Sequence, residues 1–470
     1  MLATIPIAVC FAFVSHKKRQ FEREWESAEY LMSETGAEVG IRDFGRNQSS
    51  PTIQWDKMIY GEYFSTVYHV RFFGMPVDQE AWDAVCGLSQ LRFLDLYGGD
   101  PIEIKPGTFA KLNHLESLSI NYCDLPTGAL QGIDQVSGLE SVDLSRIGPA
   151  GNDAADHVSR AGELRSLQLS EMPVSSSAIK RLCESDSLEV LQLSDCDIDF
   201  SEMLPFANVR GLIICKSTIS AETLHAICRS PKIKHLSLNG CDVDLAGFPR
   251  FGEMKQLVAL ELNGVSVTNS HLQDIAELKG LKQLKLGETD ITDAALVDLS
   301  SLDHLEELDL HNTEVSDTGV QFLTEIPSLK KLVLRRTAIS NQSLYMVSSM
   351  KDLVKLDVRS TAITDDGFLA LQGTKLQELD ICGTDTTERA LRNLGQAPEL
   401  SINISCTKMT ELNEWLNKAG RTSTWGTLYP PYQVKIESGW TLHQLYRDEP
   451  IPYCYAGDCS CKEKDDKASD

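Results

Sequence analysis

The chain has 470 residues, and 42% of them are hydrophobic, enough apolar side chains for an extensive core. It carries 68 acidic against 44 basic residues, a formal charge of −24. A molecule with that mean field repels polyanions, which argues against a nucleic acid partner.

Leu2 to Ser15 carry no charge, and His16-Lys17-Lys18-Arg19 come directly after them. The run is shorter than the roughly 20 residues of a spanning helix. No basic residue precedes it, unlike a secretory leader. Residues 1–15 are read as a short membrane anchor, with a frayed apolar tail as the alternative. The basic cluster favours a cytoplasmic location for the residues after it, but one short cluster leaves the side of the membrane open. Residues 16–66 are read as a helix and an N-terminal cap. Phe21, Trp25, Ala28, Leu31 and Met32 recur at helical spacing, and Gly36 is placed to end the helix. Trp55, Tyr60, Tyr63 and Phe64 suit a cap that closes the open end of a stack.

Across residues 67–410 the pattern L-x-x-L-x-L returns about every 24 residues, as in Leu281-Leu284-Leu286, Leu305-Leu308-Leu310 and Leu329-Leu332-Leu334. Fifteen such units run from the one ending at Phe72 to the one ending at Ile404. A fixed period of this length specifies a solenoid, in which each unit contacts only its neighbours. Within a unit the apolar triad predicts a short strand. A polar turn comes next, then a Ser/Thr-Asp pair such as Thr292-Asp293, Ser316-Asp317 or Thr364-Asp365. The hydroxyl is placed to N-cap a short outer helix, and the carboxylate suits the positive end of that helix. The expected fold is α/β: a curved stack with a parallel inner sheet of about 15 strands and short helices outside. Met75, Gly99, Cys123, Ile147 and Met172 stand where later units carry Thr, and the unit at Val209 is three residues short, so the early units are expected to pack less regularly. Residues 411–453 are read as a C-terminal cap, with a helix from Glu411 to Ala419 and an aromatic segment containing Trp425, Tyr429, Tyr432 and Trp440. Residues 454–470 form a polar tail.

These repeats resemble leucine-rich-repeat proteins over residues 67–407. Leu353 to Ile363 reads LVKLDVRSTAI, near the consensus. The T-x-[IV]-[ST]-D extension at Thr289 to Asp293, Thr313 to Asp317 and Thr361 to Asp365 is similar to the bacterial 24-residue subtype. A group of that subtype also places a membrane segment, a basic helix and a stretch like Gly36 to Gly40 before the repeats. The resemblance implies a horseshoe or arc that binds on its concave strands. It supplies no common ligand and no catalytic residues.

In L-x-x-L-x-L the third and fifth residues face away from the leucine core. With strands about 4.8 Å apart they line a ladder roughly 70 Å long. From Ser117 to Gln192 the lining is small and neutral. From Glu261 to Glu378 it is densely charged, with Arg335, Arg336 and Arg359 just past the strand ends beside His311. The candidate binding residues are Glu307, Asp309, His311, Lys331, Arg335, Arg336, Lys355, Asp357 and Arg359. The cations form a basic island suited to a carboxylate-rich or phosphorylated partner. The same residues also read as a ladder of exposed ion pairs, each contributing only ~0–1 kcal/mol. A second candidate is the aromatic set Phe73, Phe93, Tyr97 and Tyr122, read either as a stacking site for sugar or peptide or as packing beneath the cap.

Nine of the thirteen cysteines fall at repeated phases and read as small buried fillers. Cys454, Cys459 and Cys461 lie outside the repeats; a disulfide, a zinc site completed by His443, and no special role all remain open. No phosphate loop, zinc-protease signature or nucleophile elbow occurs, and no cofactor is implied. The chain reads as a non-catalytic, membrane-tethered scaffold for an unidentified protein or peptide. The alternative is an adaptor that recruits a partner to an enzyme.

Overall fold

The computed structural model describes residues 23–24, 26–33, 37–42, 66–74, 77–98, 102, 104–244, 251–394 and 400–404, together with the backbone of 433–436 and 442–443. The expected anchor, residues 43–65 of the cap, the helix from Glu411 and the last three cysteines lie outside the described residues. The chain divides into two compact units: Met1–Ser217 with Arg229–Ile233, and Thr218–Cys228 with Lys234–Asp470.

Each unit is a parallel ladder of repeats. In the first, the strands Thr66–Phe73, Phe93–Tyr97, Ser117–Asn121, Ser141–Ser145, Ser166–Ser170, Val190–Ser194 and Gly211–Cys215 pair in sequence order. In the second, His235–Ser237, Ala259–Glu261, Gln283–Lys285, Glu307–Asp309, Lys331–Val333, Lys355–Asp357, Glu378–Asp380 and Ser401–Asn403 do the same. The register is set by the period. Leu284, Leu308, Leu332, Leu356 and Leu379 stand opposite one another on successive strands, and all are buried. Each such leucine contributes about 1.5–3 kcal/mol through burial, and only the neighbouring repeat can cover it.

Both ladders have an antiparallel strand on an outer edge. Glu38–Arg42 pairs with Thr66–Phe73 in the first unit. Gln433–Ile436 pairs with Ser401–Asn403 in the second and is itself paired by Leu442–His443. These strands satisfy main-chain groups that would otherwise template association. The hydrophobic pattern carries no signal for either. The expected N-terminal helix is present at residues 23–24 and 26–33, with Ala28 and Leu31 buried.

Outside the strands, two polar ladders recur in the second unit, one within each repeat and one from repeat to repeat. The Thr at the ninth place of each unit folds its hydroxyl back onto the carbonyl three residues earlier: Thr289 to Leu286, Thr313 to Leu310, Thr337 to Leu334 and Thr361 to Val358, at 2.5–2.7 Å. All four are buried and satisfied. The expected cap forms where the hydroxyl belongs to serine: Ser316 Oγ accepts from the Thr318 amide and Ser340 Oγ from the Gln342 amide, each at 3.2 Å. Thr292 and Thr364 make no side-chain cap bond to their helices. In both cases the Asp or Asn of one repeat also holds the hydroxyl residue of the next. Asp293 Oδ1 accepts from the Ser316 amide at 2.7 Å and Oδ2 from its hydroxyl at 2.5 Å. Asp317 takes the Ser340 amide and hydroxyl at 2.9 and 2.6 Å, and the Ser343 amide and hydroxyl at 3.1 and 2.5 Å. Asn341 receives the Thr364 amide, and Asp365 receives the Thr387 amide and hydroxyl. Helix Asp317–Leu323 leaves room for this clamp through Gly319, where a Cβ would come within 2.4 Å of Asp293 Oδ1.

The first unit is less regular, as expected. Some repeats carry a helix, Gln79–Cys86, Gly151–Val158 or Ser176–Glu184, and others only a 3-10 turn, as at Phe109–Lys111 and Ile133–Gln135. No helix lies between Asp197–Ile198 and Gly211–Cys215, in the short unit. There the buried Phe206 ring fills the core, and its amide donates to Ser230 Oγ at 2.9 Å. The eighth residue of the units sits in the left-handed region whatever its type, as in Tyr122, Arg146, Glu171, Glu288, Arg336 and Ser360. Non-glycine residues there cost roughly 1–2 kcal/mol each, offset by burial of the strand beside them.

Of the described cysteines, Cys123, Cys183, Cys196, Cys241 and Cys382 are buried, and Cys86, Cys215 and Cys228 are half-buried. Cys123 and Cys196 take the place of the threonines and donate to main-chain carbonyls. Burial pushes the thiols of Cys86 and Cys183 up to about 11 and that of Cys228 up to about 12. Native protein therefore leaves these three unmodified by a maleimide at neutral pH, and denatured protein reacts fully; peptide mass mapping checks this.

Asp317→Ala removes four hydrogen bonds between repeats and lowers stability by roughly 2 kcal/mol in a urea titration. Burial raises the Asp317 carboxyl, but the Ser340 and Ser343 hydrogen bonds outweigh it and hold the group below its ordinary 3.8. A depressed carboxyl stabilises the fold above its unfolded value, and the contribution is lost as pH falls through the folded value. The gap between parent and Asp317→Ala therefore closes below about pH 4.

Candidate functional site

The charged strand face belongs wholly to the second unit. Alternation puts Leu308, Leu332 and Leu356 inside and their flanking residues outside. The parallel register then aligns one row of Gln283, Glu307, Lys331, Lys355 and Glu378, and a second of Lys285, Asp309, Val333, Asp357 and Asp380. Lys331 and Lys355 are direct neighbours of like charge. Each turns away from the other: Lys331 Nζ lies 2.8 Å from Glu307 and Lys355 Nζ 2.7 Å from Glu378. Lys285 pairs with Glu261 at 2.7 Å.

The strand ends carry a tighter network. Arg359 binds Asp357 with Nη2 at 2.7 Å and reaches Asp380 with Nε at 3.4 Å. Asp380 also accepts from the Cys382 amide at 3.1 Å and from Asn403 Nδ2 at 3.0 Å. Burial, then repulsion by Asp357, pushes the Asp380 carboxyl up to about 6, against the opposing pull of Arg359. His311 is 8% exposed; its Nδ1 is 2.8 Å from Asp309 and its Nε2 3.4 Å from Glu288. Its ring occupies the space beside Gly287, where a Cβ would lie 2.0 Å from Nδ1, so only glycine fits at 287. Burial acts to raise the Asp309 carboxyl, but the hydrogen bonds and charge of His311, with the charge of Arg335, outweigh it and hold the group down.

All nine sequence-derived candidates thus lie on or just past adjacent strands of one unit. Glu307, Asp309, Lys331, Lys355 and Asp357 are strand residues, and His311, Arg335, Arg336 and Arg359 come after the strands in the turns. Their partners Glu288, Glu378, Asp380 and Asn403 complete the network. Glu288 escapes a reading of the strand pattern because it stands in the turn beyond its strand; alternation does place Asn403 in the row of Asp380, though as a neutral residue. Among the described residues no group of three or more side chains is arranged to hold a metal ion.

The repeated unit of strand, turn and outer helix or 3-10 turn, with its aligned leucines, gives the described residues a leucine-rich-repeat fold. A leucine-rich-repeat family model matches residues 302–323, at the centre of the charged face. Similar solved structures include an internalin of Listeria monocytogenes, at 15% identity and TM-score 0.47 over 73% of this chain and 86% of that one. A leucine-rich-repeat protein of Leptospira interrogans is 18% identical, with TM-score 0.45 over 72% and 90%. A plant peptide hormone receptor in complex with RGF2 is 14% identical, with TM-score 0.38 over 71% and 62%. No curated protein matches the chain.

The raised Asp380 carboxyl gives a signed expectation. A group whose folded value lies above its unfolded value stabilises the fold below the unfolded value, near 3.8, and that contribution is lost as pH rises through about 6. Asp380→Asn carries no charge to bury. Its melting temperature relative to the parent therefore improves between pH 4 and pH 8; thermal scans across that range measure it.

Proposed function

We propose that the chain is a non-catalytic scaffold that binds a protein or peptide on the strand face of its second unit, around Glu307, Asp309, His311, Lys331, Arg335, Arg336, Lys355, Asp357 and Arg359. One observation supports this above others: the ion pairs of the face are part-exposed and held in register. Lys331 and Lys355 retain exposed ammonium groups, while Asp357, Arg359 and Asp380 are locked at the strand ends. Exposed pairs contribute little to stability, so this density of charge suits recognition, where complementary potentials steer a partner and set its register. Residues 1–15 are proposed to tether the scaffold to a membrane. No helix among the described residues is long and apolar enough to cross one.

A photocrosslinking residue placed at Lys331 or Lys355 captures the partner, and one placed at the exposed Tyr345 of the outer helix Asn341–Val347 does not. Lys331→Glu with Lys355→Glu lowers capture by about tenfold or more, with little change in melting temperature. Equal capture from both positions, or unchanged capture by the double variant, sinks the assignment.

A further inference from the structure

The strand face of the first unit has a different chemistry. Phe73 and Tyr97 end successive strands, and Tyr122 stands one residue past the end of the third; the three rings form one row. The Phe73 and Tyr97 rings stack with centroids 4.9 Å apart and an interplanar angle of 5°. Tyr97 and Tyr122 continue the row at 5.4 Å and 56°. The three side chains are 66, 42 and 49% exposed. Scattered exposed apolar residues are normal on a protein surface, but a contiguous aromatic row marks an interaction site. Arg146 closes the row, its guanidinium 5.5 Å from the Tyr122 ring centre.

Beside the rings the face is lined by hydroxyls and amides. The side chains of Ser117, Ser141, Ser166, Gln168 and Ser170 are half-buried on successive strands and have no hydrogen-bond partner among the described residues. Asp143 Oδ1, amid them, is buried and unpartnered, while its other oxygen lies 3.4 Å from Asn121 Nδ2. The cations at the rim are already paired. Arg71 binds Asp95 at 3.1 Å and Glu38 at 3.4 Å, and Arg146 binds Glu171. A charged polymer has no surplus of opposite charge to meet, and bases that stack on aromatic rings also need a basic groove for their phosphates. Strand addition by a peptide is blocked at the adjacent edge, where Glu38–Arg42 already pairs with Thr66–Phe73. A sugar ring fits both features. Its C–H groups pack on the negative face of an aromatic ring, and its hydroxyls exchange hydrogen bonds with serine, amide and carboxylate groups.

We propose that the Phe73, Tyr97 and Tyr122 row, with the adjoining hydroxyl and amide face, is a binding site for an uncharged oligosaccharide. It is separate from the charged face and does not depend on it. The full chain is screened on an array of uncharged and acidic oligosaccharides and of proline-rich and aromatic peptides, and bound probes are titrated by calorimetry at low and high salt. Uncharged oligosaccharides bind with an affinity that salt leaves unchanged. Tyr97→Ala and Tyr122→Ala each weaken binding about tenfold, the usual scale for losing one stacking ring. Tyr97→Trp retains binding, and Lys331→Glu has no effect. Melting curves of the alanine variants match the parent, and retention by Tyr97→Trp decides the matter if they do not. The proposal is overturned if no uncharged oligosaccharide binds, if only acidic ones do, if binding survives loss of both tyrosines, or if the tyrosine-dependent probe is a peptide.

Discussion

No repeat of this protein can bury its own leucines. A unit of about 24 residues offers one strand and one outer turn or helix, and its apolar side is covered only when the next unit docks against it. Burial of Leu308 requires Leu284 and Leu332 on either side, and their alignment is a direct result of the period. The polar ladders arise from the same constraint. Stacking buries the main chain of each turn, and the buried carbonyls must be met. Thr313 and Thr337 donate to carbonyls of their own repeat, while Asp293 and Asp317 accept from main-chain amides of the next. Where the stack meets its outer edges, Glu38–Arg42 and Gln433–Ile436 take up the strand hydrogen bonding.

Regular stacking also governs what the faces can carry. A residue at a fixed phase lies about 4.8 Å from its counterparts on the neighbouring strands, so every charge is set beside another. Lys331 and Lys355 avoid each other by pairing outward in opposite directions. Asp357 and Asp380 share Arg359, and burial with the repulsion of Asp357 pushes the Asp380 carboxyl up to about 6. In the first unit the same phases hold mainly Ser, Gln and aromatic residues, and the charges among them are few, with Arg71 paired to Asp95. One scaffold thus presents two chemistries, one suited to a charged macromolecule and one to a neutral ligand.

Much of the fold is legible in the chain itself. The apolar triads locate the strands, and the missing three residues near Val209 mark the unit without a helix. The phases of Cys123 and Cys196 identify them as stand-ins for threonine. The Ser/Thr-Asp pair is recognisable but its partner is not, because local capping and a bond to the next repeat demand the same residues. Of the charged site, the strand residues are legible from alternation. Glu288, in a turn, is not, since its role arises only when the next repeat brings His311 against it.

The sequence by itself determined the repeat, its register and which residues face outward, because a period of about 24 admits only one way to align the leucines. Tertiary structure decided which charges pair. Lys331 has a like-charged neighbour on one side and an opposite one on the other, and only the packed side chain chooses between them. It also decided that the rings at Phe73, Tyr97 and Tyr122 stack in water instead of filling the core, since the core phase is already occupied by Phe72, Leu96 and Ile120.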